Sequence, residues 1–150
     1  MGKAKNHKQP KFGAIPEIKK EPRIGNTSDA NAMNPAWRVS LLQWVAPYGC
    51  HILDLETSIF IQTKLKEFEA MTWNEILVRD KWKNHTIKVG EIALQARNRL
   101  IEIGQDDIDE LVSLRLTGTA RIWGIRDQNI LKLLWWDPDH QVYQSHKKHT

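Results

Sequence analysis

One cysteine, Cys50, stands in a chain of 150 residues, which excludes an intramolecular disulfide. It reads as a small buried hydrophobe beside Gly49. Long apolar runs are missing as well. No segment approaches a signal-peptide core or a membrane span, so a cytoplasmic protein with no membrane partner is expected. The chain also has no paired-cysteine motif, no HExxH, no phosphate-cradling glycine loop and no GxSxG elbow. Zinc chemistry, nucleotide hydrolysis by a P-loop and serine-esterase chemistry are therefore disfavoured, and neither a cofactor nor a metal is expected. The histidines His140, His146 and His149 are too irregularly spaced to read as a metal set.

What is present is positive charge, placed unevenly. The net formal charge is +4. Residues 1–23 hold seven Lys/Arg against Glu17 and Glu21, and residues 111–150 hold six Lys/Arg against three Asp. Between them, residues 54–110 hold eight Lys/Arg against twelve Asp/Glu. A polyanion such as nucleic acid suits the two basic ends. Residues 1–34, rich in Lys, Pro, Gly, Asn and Ser with little apolar periodicity, are expected to be a disordered basic arm. That arm either solubilises the chain or touches RNA or DNA. Residues 35–150 remain as one domain, about 115 residues and long enough for a core.

Residues 36–45, AWRVSLLQWV, predict a first strand stopped by Pro47, Tyr48 and Gly49. Residues 54–58 offer caps for a helix whose Phe60, Ile61, Leu65, Phe68 and Met71 share a face. Thr72 and Glu75 form a capping box for a short second helix. Val89, Ile92, Ala93, Ala96, Leu100 and Ile103 recur at helical spacing up to Gly104. The opposite face of that third helix, with Glu91, Arg97, Arg99 and Glu102, is expected to be solvated.

The densest run of β-formers is residues 111–143. Val112, Leu114 and Leu116 alternate with Ser113, Arg115 and Thr117, the period-two mark of a half-buried strand with arginine on its outer face. Gly118 turns the chain into residues 121–126, and Asp127, Gln128 and Asn129 turn it into residues 130–136. Asp137, Pro138 and Asp139 end the meander just before His140 and Tyr143. The expected fold is α+β: a small four-stranded, mainly antiparallel sheet in the order β-α-α-α-β-β-β, packed on helices. Trp135 and Trp136 should face opposite sides, one in the core and the other a base-stacking platform or a cover for the sheet edge.

Arginine, lysine, histidine and tyrosine on a small sheet suit metal-free phosphodiester chemistry. One group takes a ribose 2′-hydroxyl proton, cations stabilise the phosphate, and another group protonates the leaving oxygen. A solvated sheet face fringed by arginine is the plainer reading of the same residues.

The segment also resembles the RelE/ParE toxin superfamily over residues 111–143. The likeness is carried by Leu114-Arg115-Leu116, Gly118, Arg121-Ile122, Asp127, the apolar run from Ile130 and the closing His140 with Val142-Tyr143. It implies a metal-independent endoribonuclease toxin of a toxin-antitoxin system, cleaving mRNA on the ribosome and held by a cognate antitoxin protein. Arg115 and Arg121 would bind phosphate, and His140 and Tyr143 would transfer protons. Arg126, Lys132, His146, Lys147, Lys148 and His149 would contact RNA. The basic residue that often follows the family's histidine is Gln141 here. Two alternatives remain: a non-enzymatic nucleic-acid-binding or accessory protein, and a ParE-like inhibitor of a topoisomerase.

Overall fold

The computed structural model describes residues 28–49 and 53–144. Cys50, most of the basic arm (1–27) and the tail with His146, Lys147, Lys148 and His149 lie outside the described residues. Among those described, no helix is long and apolar enough to cross a membrane.

The fold is α+β, with five strands rather than the expected four. β1 (Ala36–Arg38), β2 (His85–Lys88), β3 (Glu110–Arg115), β4 (Arg121–Asp127) and β5 (Ile130–Asp137) lie in the order β1-β5-β4-β3-β2. The meander is antiparallel, and β1 joins β5 in parallel. The first strand is far shorter than residues 36–45, and Gln43 reaches the sheet by its amide alone, donating to the Leu134 carbonyl at 2.9 Å. The unforeseen strand is β2. It has four residues and only Ile87 turned inward, too short for alternation to declare it. Its pairing with β3 defines it.

The helices are α1 (Ser28–Asn31), α2 (Leu55–Glu69) and α3 (Leu94–Glu102). The side chain of Asp54 caps α2, accepting from the Thr57 amide at 2.7 Å. Thr72 accepts from the Glu75 amide at 3.2 Å as expected, and the turn it opens widens into a π-helical stretch, Glu75–Arg79. α3 starts later than residue 89, because a 3-10 turn over Val89–Glu91 comes first. It ends as Gly104 allows: φ is +70° there, the Gly104 amide donates to Ile101 and the Gln105 amide to Leu100.

The domain also begins earlier than residue 35. Ala30 is buried, the Trp73 amide donates to the Met33 carbonyl at 3.0 Å, and Arg126 donates to the Asn31 side chain. A tail composition up to residue 34 does not reveal these partners, which are 40 to 95 residues away in the chain.

Two apolar clusters cover the two sheet faces. Leu111, Trp123, Ile125, Leu134 and Trp135 pack with Ala96 and Leu100 of α3 and with Ile92 just before it. Val112, Leu114, Ile122, Leu131, Leu133 and Trp136 pack with Phe68 of α2, Trp73 and Ile76. β3 is consequently buried on both sides from Leu111 to Leu114, Ser113 included, and not half-solvated. A bulge lies where Gly124 meets β5, so that Leu134 and Trp135 fall in the same cluster. A Cβ on Gly124 would come within 2.7 Å of the Lys132 carbonyl oxygen, hence the glycine. Trp135 and Trp136 do face opposite sides, yet both are buried, and neither offers a ring to solvent. The outer face of α3 is also less wet than expected. Arg99 donates to the Ala46 carbonyl and pairs with Glu102 at 3.4 Å, and the Nε of Arg97 is enclosed.

Candidate functional site

Strand register builds the site. Arg115 of β3 lies opposite Arg121 of β4, and Arg121 opposite Asp137 of β5. Cross-strand partners share a face, so the two cations and the carboxylate form a row at one end of the sheet, on the α3 side. One row inward, His85 lies opposite Ser113, and Ser113 opposite Trp123.

The buried carboxylate of Asp137 shapes the next few residues. Oδ1 accepts from the Gln141 amide at 2.8 Å. Oδ2 accepts from the Val142 amide at 3.0 Å and from the Trp123 indole at 3.2 Å. These bonds fold residues 138–141 back over the strand end, with His140 in the left-handed region at φ 56°. A non-glycine residue there costs roughly 1–3 kcal/mol, and hydrogen bonds to a charged acceptor, about 1.5–3 kcal/mol each, can offset it.

His140 therefore enters the electrostatic neighbourhood of the arginines. Its imidazole is held below the ordinary histidine value, by burial first and then by the Arg121 charge, with Asp137 pulling the other way and His85 and Arg115 adding to the depression. His85 is depressed too, by partial desolvation and then Arg121, against hydrogen bonding to the Trp82 backbone carbonyl. Both imidazoles favour the neutral form, which can accept a proton.

The arginines are not equivalent. Arg121 is buried, and its guanidinium donates to the carbonyls of Thr117, Ala120 and Gly118 at 2.9, 3.0 and 3.3 Å. Burial and the neighbouring Arg115 charge push its pKa down, with Asp137 opposing, yet an arginine starts so high that it stays a cation. It acts as a fixed positive charge. Arg115 is exposed, and among the described residues its side chain donates only from Nε, to the Thr117 carbonyl at 3.1 Å. Its backbone amide donates to Asn84 Oδ1 at 3.0 Å, tying it to the turn before β2.

The other expected residues fall elsewhere. Arg126 is at the far end of β4, five residues or about 17 Å from Arg121 at strand spacing. There it stacks 4.8 Å from the Trp73 ring centroid and donates to Gln128 and Asn31, a structural clamp and not part of the arginine row. Lys132 pairs in register with Arg38 and lies at that same far end. Tyr143 packs against the α3-side cluster and lines a cavity with Gly90, Glu91, Ile92 and Arg97. Arg115, Arg121 and His140 thus come together, and His85 and Asp137 join them. Neither is legible as a site residue in the sequence. His85 sat outside any recognised element, and Asp137 read only as a strand terminator.

Among the described residues, no three His, Cys, Asp or Glu side chains gather so as to hold a metal ion. Comparison with family models, with curated proteins and with solved structures gave no match.

Proposed function

We propose that the chain is an endoribonuclease that cleaves RNA by attack of the ribose 2′-hydroxyl, with Arg115, Arg121, His85 and His140 at its centre. The observation that carries the reading is the strand register that puts Arg115, Arg121 and Asp137 in one row at a sheet end, with His85 one row inward and the His140 turn folded onto Asp137. One imidazole takes the 2′-hydroxyl proton while that oxygen bonds to phosphorus. The bond from phosphorus to the 5′-oxygen breaks, and the other imidazole, protonated, supplies that oxygen's proton. The products are a 2′,3′-cyclic phosphate and a 5′-hydroxyl end. Arg115 binds the phosphate, and Arg121 adds a buried positive charge that needs no reorganisation as negative charge develops. The resemblance of residues 111–143 to RelE/ParE toxins supports mRNA, on the ribosome, as the substrate and an antitoxin protein as the partner.

The test is cleavage of cellular mRNA after induced expression, with 5′ ends mapped by primer extension, alongside purified protein and a defined RNA. Arg115→Ala and His140→Asn should each lower turnover about 100-fold or more, the scale of one lost preorganised donor or proton-transfer group. A 2′-deoxy substitution at the cleaved nucleotide should block the reaction, and EDTA should leave it intact. Full activity in both variants would sink the mechanism.

A second reading, RNA binding without cleavage, is favoured by the engagement of Arg121 with the hairpin carbonyls. It expects binding that weakens steeply with salt and no new RNA ends.

A further inference from the structure

The large apolar side chain most open to solvent among the described residues is Trp82, 80% exposed. Two lysines flank it, and the Lys81 ammonium stands 5.4 Å from the ring centroid. The indole is not on a loose loop. The amides of Lys83 and Asn84 both donate to the Asp80 carbonyl, at 2.9 and 3.2 Å, closing the turn that carries Trp82. Buried Asn84 then clamps that turn, donating to the Ile76 carbonyl at 3.2 Å and accepting from the Arg115 amide. On the other side, three residues along the chain, His85 opens β2 opposite Ser113. The turn that carries the exposed indole is thus tied to the arginine of the proposed centre and runs on into its histidine.

Neither core packing nor the hairpins need an open indole at this place. A flat π surface with ammonium groups beside it fits an unpaired nucleobase and its phosphate. The carboxylate of neighbouring Asp80 is taken up by Arg79 at 3.2 and 3.1 Å, although Lys83 also senses it.

We propose that Trp82, held by the 80–84 turn between Lys81 and Lys83, is a stacking platform for an unpaired base of single-stranded RNA next to the phosphate bound by Arg115. This rests on the ribonuclease reading and deepens it, since it restricts the substrate to RNA that is unpaired beside the cleaved bond. Stacking discriminates poorly among bases, so the platform selects single strands rather than a sequence.

The probe is a fluorescein-labelled 2′-O-methyl oligoadenylate, which cannot be cleaved, titrated with the full chain by fluorescence anisotropy at fixed salt. A matched oligomer without bases reports backbone contacts alone. Trp82→Ala should weaken oligoadenylate binding about 5- to 100-fold, and Trp82→Phe should stay within about 3-fold of the parent. Neither change should alter affinity for the abasic oligomer. Unchanged oligoadenylate affinity in Trp82→Ala, with weakening in Arg115→Ala, would overturn the platform and leave the nuclease reading standing. Equal loss on both oligomers would assign Trp82 to the backbone and also overturn stacking. If the parent protein bound neither oligomer, both readings would fail.

Discussion

Asp137 shows how one buried side chain can shape the candidate site around it. Its carboxylate gathers two loop amides and an indole, and the bend it enforces delivers His140 to the arginines in a left-handed conformation. Two substitutions separate the roles. Asp137→Asn keeps the volume but turns an amide N–H toward other N–H donors, so stability should fall by about 1–3 kcal/mol for each donor left unsatisfied. RNA cleavage should fall with it, because the His140 loop loses its anchor. His140→Asn should behave differently, since asparagine enters the left-handed region readily. Its thermal midpoint should stay close to the parent's while turnover is lost. Equal destabilisation in both, read by thermal melts, would mean that His140 is a packing residue. The same reasoning explains the division between the arginines. Buried Arg121 braces the hairpin and adds charge, whereas exposed Arg115 keeps donors for a ligand.

At the scale of elements, the meander and α3 carry the architecture, and two glycines show why their shapes are not interchangeable. Gly104 ends α3 at φ +70° with open space around it, so Gly104→Ala meets only the backbone penalty, about 1 kcal/mol. Gly124 has no unusual φ but lies at the bulge against Leu131 and the Lys132 carbonyl. Gly124→Ala must push strands apart and should cost about 1–3 kcal/mol or more. Urea melts of the two variants order these costs, and a milder loss at Gly124 would show that the bulge can relax. The bulge also bears on the site, because it resets the register of β5 so that Asp137, rather than a neighbour, lies opposite Arg121.

Across the whole molecule, the paired histidines couple the site to stability. Both have folded-state pKa values below the ordinary value of about 6.5. Between the folded and ordinary values the unfolded chain binds more protons, so stability rises with pH through that window. The stability is fully present above about pH 6.5 and is lost as pH falls through the folded values. The thermal midpoint should therefore drop between pH 7.5 and pH 5.5, and His85→Asn with His140→Asn should flatten that part of the curve. An unchanged slope in the double variant would detach the imidazoles from folding. Taken by itself, the sequence determined what local chemistry controls. The alternation of residues 112–116, the turn at Asp127 to Asn129, the spacing of Ala96 and Leu100 and the stop at Gly104 each act within a few residues, and strands, hairpin and helix lie where they point. Only the tertiary structure decided which faces are covered and which charges meet. β2 exists because β3 offers it an edge, and β3 is dry on both sides because α2 and α3 lie on opposite faces. Arg121 and Arg126 resemble one another in sequence but stand at opposite ends of a strand, while His85 and His140, 55 positions apart, share one electrostatic neighbourhood. Burial and Coulomb interaction depend on distance in space, and chain separation does not report that distance until the sheet has set its register.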